Sequence, residues 1–214
     1  MEDMLRFKVR GVPPGLLQHS PHWLMRKAVG GPTSKKIPTP EVEASLGLYI
    51  VDESGTLIHP SIATEKCSVA IPADAFVEAI FDACVGKKIG KTSAAKILKA
   101  AIRPPDAEPW CVLRDPKTWK PYRMTIIRDK KTKELVLEKP LAPYTVDVRR
   151  VVVQCQGVLR ARPLFHAWGC EVALIASTDT VSEEVVRDVL TTAGKLIGVC
   201  EYRPRYGRFE VLED

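Results

Sequence analysis

The stretch Val148-Arg-Arg-Val-Val-Val-Gln-Cys-Gln-Gly-Val-Leu159 opens the last third of the chain, and Trp168-Gly-Cys-Glu-Val-Ala-Leu-Ile-Ala176 follows it. Both are apolar runs rich in β-branched residues, the composition of buried strands. Ser182 to Ile197 then places Val185, Val186, Val189, Leu190, Ala193 and Ile197 at helical spacing, so an amphipathic helix is expected there. Thr180 followed by Glu183 has the spacing of a capping box for its start. The turn Glu201-Tyr-Arg-Pro-Arg-Tyr-Gly207 leads into a closing strand, Arg208 to Leu212. Strand, strand, helix, strand is the order that this third of the chain predicts.

Outward from that stretch, the N-terminal segment alternates from Leu5 to Arg10, which predicts a half-buried strand with Arg6, Lys8 and Arg10 on its outer face. Gly11-Val-Pro-Pro-Gly15 ends it. Residues 16 to 44 read as a long loop, a length that in a compact domain usually serves a function. Ser45 to Val51 reads as a short strand. Residues 72 to 85 put Phe76, Ala79, Ile80, Ala83 and Cys84 on one side of a first core helix, and Thr92 to Ile102 forms a shorter basic helix. Residues 103 to 143 read as a β-hairpin insertion, because they carry several short apolar runs but no core of their own. Two helices joined to four principal strands predict an α+β fold, a ferredoxin-like (RRM-like) βαββαβ core in a single domain spanning 1 to 214.

Composition narrows the function classes. Hydrophobic residues at 45% and charged residues at 27% are ordinary for a globular protein. No export signal and no spanning apolar run is read, so a cytoplasmic protein with no membrane partner is expected. Six widely spaced cysteines without a Cys-x-x-Cys pair read as reduced core thiols. The net charge of +6 is uneven: residues 1 to 40 hold seven Lys/Arg against two acids, residues 41 to 80 one against seven, and residues 81 to 105 six against one. Such a chain can turn one basic face to a polyanion and keep another acidic.

Familiar catalytic patterns fail on spacing. Gly86-Lys-Lys-Ile-Gly-Lys-Thr92 has three residues between its glycines where a phosphate loop has four, and a helix precedes it instead of a strand. His19 and His22 flank Pro21, which removes the helical register two metal ligands would share. No Gly-x-Ser-x-Gly and no acidic cluster for two metals is present, so no cofactor, metal or catalytic residue is expected. Arg203-Pro-Arg-Tyr-Gly-Arg208 is the most distinctive run. Its three guanidinium groups, stiffened by Pro204 and interleaved with Tyr202 and Tyr206, suit phosphate clamping with base stacking. The expected nucleic-acid surface comprises Arg149, Arg150, Arg160, Arg162, Arg203, Arg205, Tyr206 and Arg208. Lys87, Lys88 and Lys91, with His19, Arg26, Lys27, Lys35 and Lys36 from the long loop, complete the channel.

On these residues the chain resembles the RAMP superfamily, specifically the backbone subunits of CRISPR effector complexes. The resemblance rests on Phe7 to Ser20, on Asp52 to Gly55 and Ile71 to Ala73, and on Ala193-Gly-Lys-Leu-Ile-Gly198 through Arg203-Pro-Arg-Tyr-Gly-Arg-Phe-Glu210. The last run is also similar to a group of small phage-borne proteins. The resemblance implies an RRM-like palm with a protruding hairpin at 109 to 139. It also implies a non-catalytic subunit that repeats along single-stranded RNA or DNA, as a homo-oligomer or in a multi-subunit ribonucleoprotein of antiviral defence. The loop after the first strand lacks the aspartate of RNA-cutting members, which argues against nuclease activity. Two alternatives stay open. One is a metal-independent RNA-processing enzyme using His19 or His22. The other is a phage protein-binding module that engages a CRISPR complex through its acidic face at 41 to 78.

Overall fold

The computed structural model describes residues 2–18, 39–60, 63–64, 66–89, 91–123, 127–128, 135–136, 144–153 and 156–213. It is a mixed α+β fold of antiparallel sheets, with four helices among the described residues. In the principal sheet, β1 (Glu2–Gly11) lies between β15 (Phe209–Val211) and β14 (Gly169–Ser177). The short β8 (Ile102–Arg103) borders β14, giving the order β15-β1-β14-β8 with every neighbour antiparallel. Leu5, Phe7 and Val9 of β1 are buried while Arg6, Lys8 and Arg10 are exposed, as the alternation predicts.

Two helices cover the apolar face of this sheet. α2 (Asp74–Ala83) and α4 (Glu183–Leu196) are in contact, and both meet the sheet through aromatic rings. Phe209 of β15 stands edge-on to Phe76 of α2 with centroids 5.3 Å apart, and Arg187 of α4 sits over the Phe7 ring. α4 matches the sequence reading to within a residue at each end, but its cap differs. Ser182, not Thr180, is the N-cap, its hydroxyl accepting from the Val185 N–H at 3.4 Å. Thr180 belongs to the preceding turn, where its N–H donates to the Ser177 carbonyl.

A second sheet is built from β3 (Tyr49–Val51), β4 (Leu57–Ile58), β5 (Ser68–Pro72) and β9 (Trp110–Val112), in the order β4-β3-β5-β9. This corrects two expectations. Residues 40–46 form a helix, α1 (Pro40–Leu46), with proline in its first turn, Glu41 and Glu43 at its positive end, and Gly47 stopping it. The strand expected over 45–51 is thereby shortened to 49–51. Trp110–Val112, read as part of a hairpin excursion, pairs with β5 and joins the core. Of that excursion, β10 (Ile127–Arg128) pairs with β11 (Leu135–Val136), and 124–126, 129–134 and 137–143 lie outside the described residues.

The third sheet, β12-β13-β2, decides the site. Val148 to Leu159 is not one strand but the two arms of a hairpin, β12 (Tyr144–Val153) and β13 (Gln156–Phe165), paired in continuous register with Arg149 opposite Arg160. β13 pairs in turn with β2 (Leu16–Leu17), inside the stretch read as a loop. The basic run at 86–92 closes as a small ladder, β6 (Lys88–Ile89) with β7 (Thr92–Ser93), ahead of α3 (Ala94–Ala101). Cys67, Cys84, Cys111 and Cys170 are buried free thiols.

Candidate nucleic-acid interface

The Arg/Tyr run forms a folded loop, held by the backbone. After α4, Gly198 turns the chain with φ +77°, and the Val199 N–H donates to the Gly207 carbonyl at 2.9 Å. Glu201 N–H donates to Leu17, and Gly207 N–H to Gly15, which ties the loop to the turn after β1. Gly207 has φ +76°, and a Cβ there would lie 1.8 Å from the Val199 carbonyl oxygen, so this position admits glycine alone. The loop buries the Tyr206 ring and leaves Arg203, Arg205 and Arg208 exposed.

Facing this loop is one side of the β12–β13 hairpin. Residues paired across an antiparallel ladder share a face, so Asp147, Arg149, Arg160 and Arg162 stand on one side and Val148, Arg150, Leu159 and Ala161 on the other. Arg149 and Arg150 therefore do not converge, against the expectation of one common surface. The first side stacks on the loop's tyrosines. The Arg149 guanidinium lies 4.9 Å from the ring centres of both Tyr202 and Tyr206, Arg162 lies 5.9 Å from Tyr202, and Arg205 lies 5.9 Å from Tyr206.

Four of the expected phosphate clamps already face carboxylates. Arg149 donates to Asp147 at 2.9 Å and to the Tyr206 hydroxyl, and the Asp147 hydrogen bond holds its pKa above the ordinary value. Arg160 pairs with Glu43 of α1 at 3.2 Å, Arg203 with Asp82 of α2 at 3.2 Å, and Arg162 with Glu201 at 3.9 Å. Arg162 Nε and Nη1 are buried without an acceptor among the described residues. These arginines join elements to one another, and their charge is spent largely in doing so. The open face of the principal sheet is balanced in the same way: Arg6 bonds Glu108 and Glu171, and Arg10 bonds Glu210.

Uncompensated positive charge collects elsewhere. An open groove of about 710 Å³ is lined by Pro14, Lys195, Leu196, Pro204, Arg205 and Arg208. No carboxylate among the described residues pairs with Lys195, Arg205 or Arg208. The apolar walls are two prolines and Leu196, a side chain that is 65% exposed. Lys87, Lys88 and Lys91 are exposed on the turn that follows α2, the helix whose Asp82 holds Arg203. His19, Arg26, Lys27, Lys35 and Lys36 lie outside the described residues.

Lys195 and Leu196 escaped the sequence reading because an exposed lysine in the last turn of a helix is the ordinary complement to the helix dipole. Their nearness to Arg205 and Arg208 depends on how the loop folds back, which no local pattern states. Among the described residues, no group of three His, Cys, Asp or Glu side chains is placed to hold a metal, and no helix is long and apolar enough to cross a membrane. No protein-family profile matches the chain, and no curated protein matches it.

Proposed function

We propose that this protein binds single-stranded nucleic acid, RNA or DNA, along the groove edged by Lys195, Arg205 and Arg208. The observation that carries the reading is the coincidence of three cations free of carboxylate partners among the described residues with an apolar wall and with Tyr202 and Tyr206, both stacked on Arg149. Cations along a groove take phosphates, and exposed flat side chains take unstacked bases. We assign the role of base-stacking ring to Tyr202, which is 37% exposed.

The strand order supports a ferredoxin-like core. β1 and β8 run the same way with β14 between them, and β15 closes on the other side of β1, with α2 and α4 in the two crossovers. The resemblance to RAMP backbone subunits extends the reading to a non-catalytic subunit that repeats along one strand. Arg149, Arg162 and Arg203 then brace the loop, Arg160 ties the hairpin to α1, and Arg205 and Arg208 meet the phosphates. Fluorescence polarisation with labelled single strands, in competition with duplex DNA and with polyglutamate, tests the proposal. Single strands should compete best. If all three polyanions compete equally per charge, the groove is only a patch of charge and the proposal fails.

A further inference from the structure

The outer edge of β12 is unpaired among the described residues, and its chemistry is complementary to itself. β12 is ten residues long and borders only β13 in its sheet. The opposite edge of β13 is covered: Gln18 N–H donates to the Pro163 carbonyl from β2, and Ala161 N–H donates to Glu43 of α1 at 3.2 Å. Those two bonds fix which way the backbone groups point. Ala161 and Pro163 direct theirs away from β12, so their register partners Val148 and Val146 direct theirs away from β13. Val146, Val148 and Arg150 thus present N–H and C=O groups along the free edge. Such a row of unmet donors and acceptors is a template for another strand.

We propose that a second copy of this chain occupies that edge, β12 pairing antiparallel with β12 of its partner about a two-fold axis through Val148. Register follows from charge. Outward-pointing residues must pair with outward-pointing residues, so the axis can pass through any single residue of the strand. Through Asp147, Arg149 or Arg150 it would set like charges directly opposite each other. Through Val148 it sets Asp147 opposite the partner's Arg149 twice over, with Arg150 opposite the partner's Val146. Apolar surface points the same way. Val148 is 47% exposed and Leu159, diagonal to it on the same face, is 67% exposed. Pairing sets Val148 directly beside its symmetry mate. The two hairpins become one six-stranded sheet, β2-β13-β12 continued through the two-fold axis. This interface is closed and isologous, unlike a head-to-tail repeat, and it needs no nucleic acid.

The test uses the full chain without nucleic acid. Light scattering behind size exclusion should give a dimer, and Val148→Pro should give a monomer with an unchanged circular dichroism spectrum. Proline there removes an N–H that faces the free edge and none that pairs with β13. In a Cys155→Ser background, Val148→Cys should form an intermolecular disulfide on mild oxidation, since directly opposed strand residues fall within disulfide range. Thr145→Cys, which faces the partner's residue 151, should not. The disulfide readout stands even if the proline variant fails to fold. A wild-type protein that stays monomeric into the high-micromolar range overturns the proposal. So does a dimer that survives Val148→Pro, or cross-linking at position 145 as fast as at 148.

Discussion

Replacing Lys195, Arg205 and Arg208 together by glutamine should change the salt dependence of strand binding by an amount set by the structure. Each cation that meets a phosphate releases counterions, and for single strands the slope of log K against log salt is about 0.7 per contact. Three contacts therefore account for about 2 of the wild-type slope, equivalent to about a 20-fold difference in affinity loss over a fourfold rise in salt. The comparison variant is Arg160→Gln, whose guanidinium already faces Glu43 at 3.2 Å. Its slope should stay within one contact of wild type. The assay is polarisation of a labelled oligonucleotide titrated at four or more salt concentrations, with thermal melts to confirm that each variant is folded. A triple variant with the wild-type slope would show that phosphates do not lie in the groove. If Arg160→Gln lowers the slope as much as the triple variant, the division between bracing and binding arginines is wrong.

Four further outcomes follow from the packing. Phe209→Ala removes a fully buried ring set against Phe76 and Trp168 and should cost about 3–5 kcal/mol in chemical denaturation. Gly207→Ala should unseat the 199–207 loop, and its binding defect should exceed that of Arg205→Gln, because the added Cβ meets backbone at 1.8 Å. Ser182→Ala should cost about 1 kcal/mol as the loss of an N-cap, whereas Thr180→Ala should cost less than half of that. Burial pushes the Tyr49 and Tyr122 hydroxyls up to about 12, so their neutral form is favoured in the folded chain. Unfolded tyrosines ionise from about pH 10, so stability should be whole below pH 10 and fall between pH 10 and 12. Tyr122→Phe, measured by denaturant midpoint against pH, should flatten that fall.

Much of the framework was legible in the sequence because it rests on local periodicity. The alternation of Leu5, Phe7 and Val9 places one face of β1, and the spacing of Phe76, Ala79 and Ile80 places one stripe of α2. Val186, Leu190 and Ala193 do the same for α4. Apolar periods of two and 3.6 residues report burial without reference to the rest of the chain. Where a run was apolar throughout, the period was silent. Nothing in Val148 to Leu159 alone states that the chain reverses between residues 153 and 156, and Ser45 to Val51 reads as a longer strand although a helix runs to Leu46.

The sequence by itself determined that arginines and tyrosines crowd residues 202 to 208, where no acid stands. It could not determine which of them keep their charge. Glu43 lies 117 residues from Arg160, and Asp82 lies 121 from Arg203. Charge pairing depends on distance in space, and chain folding brings carboxylates to some guanidinium groups while leaving Lys195, Arg205 and Arg208 around an open groove. Only the tertiary structure made that selection.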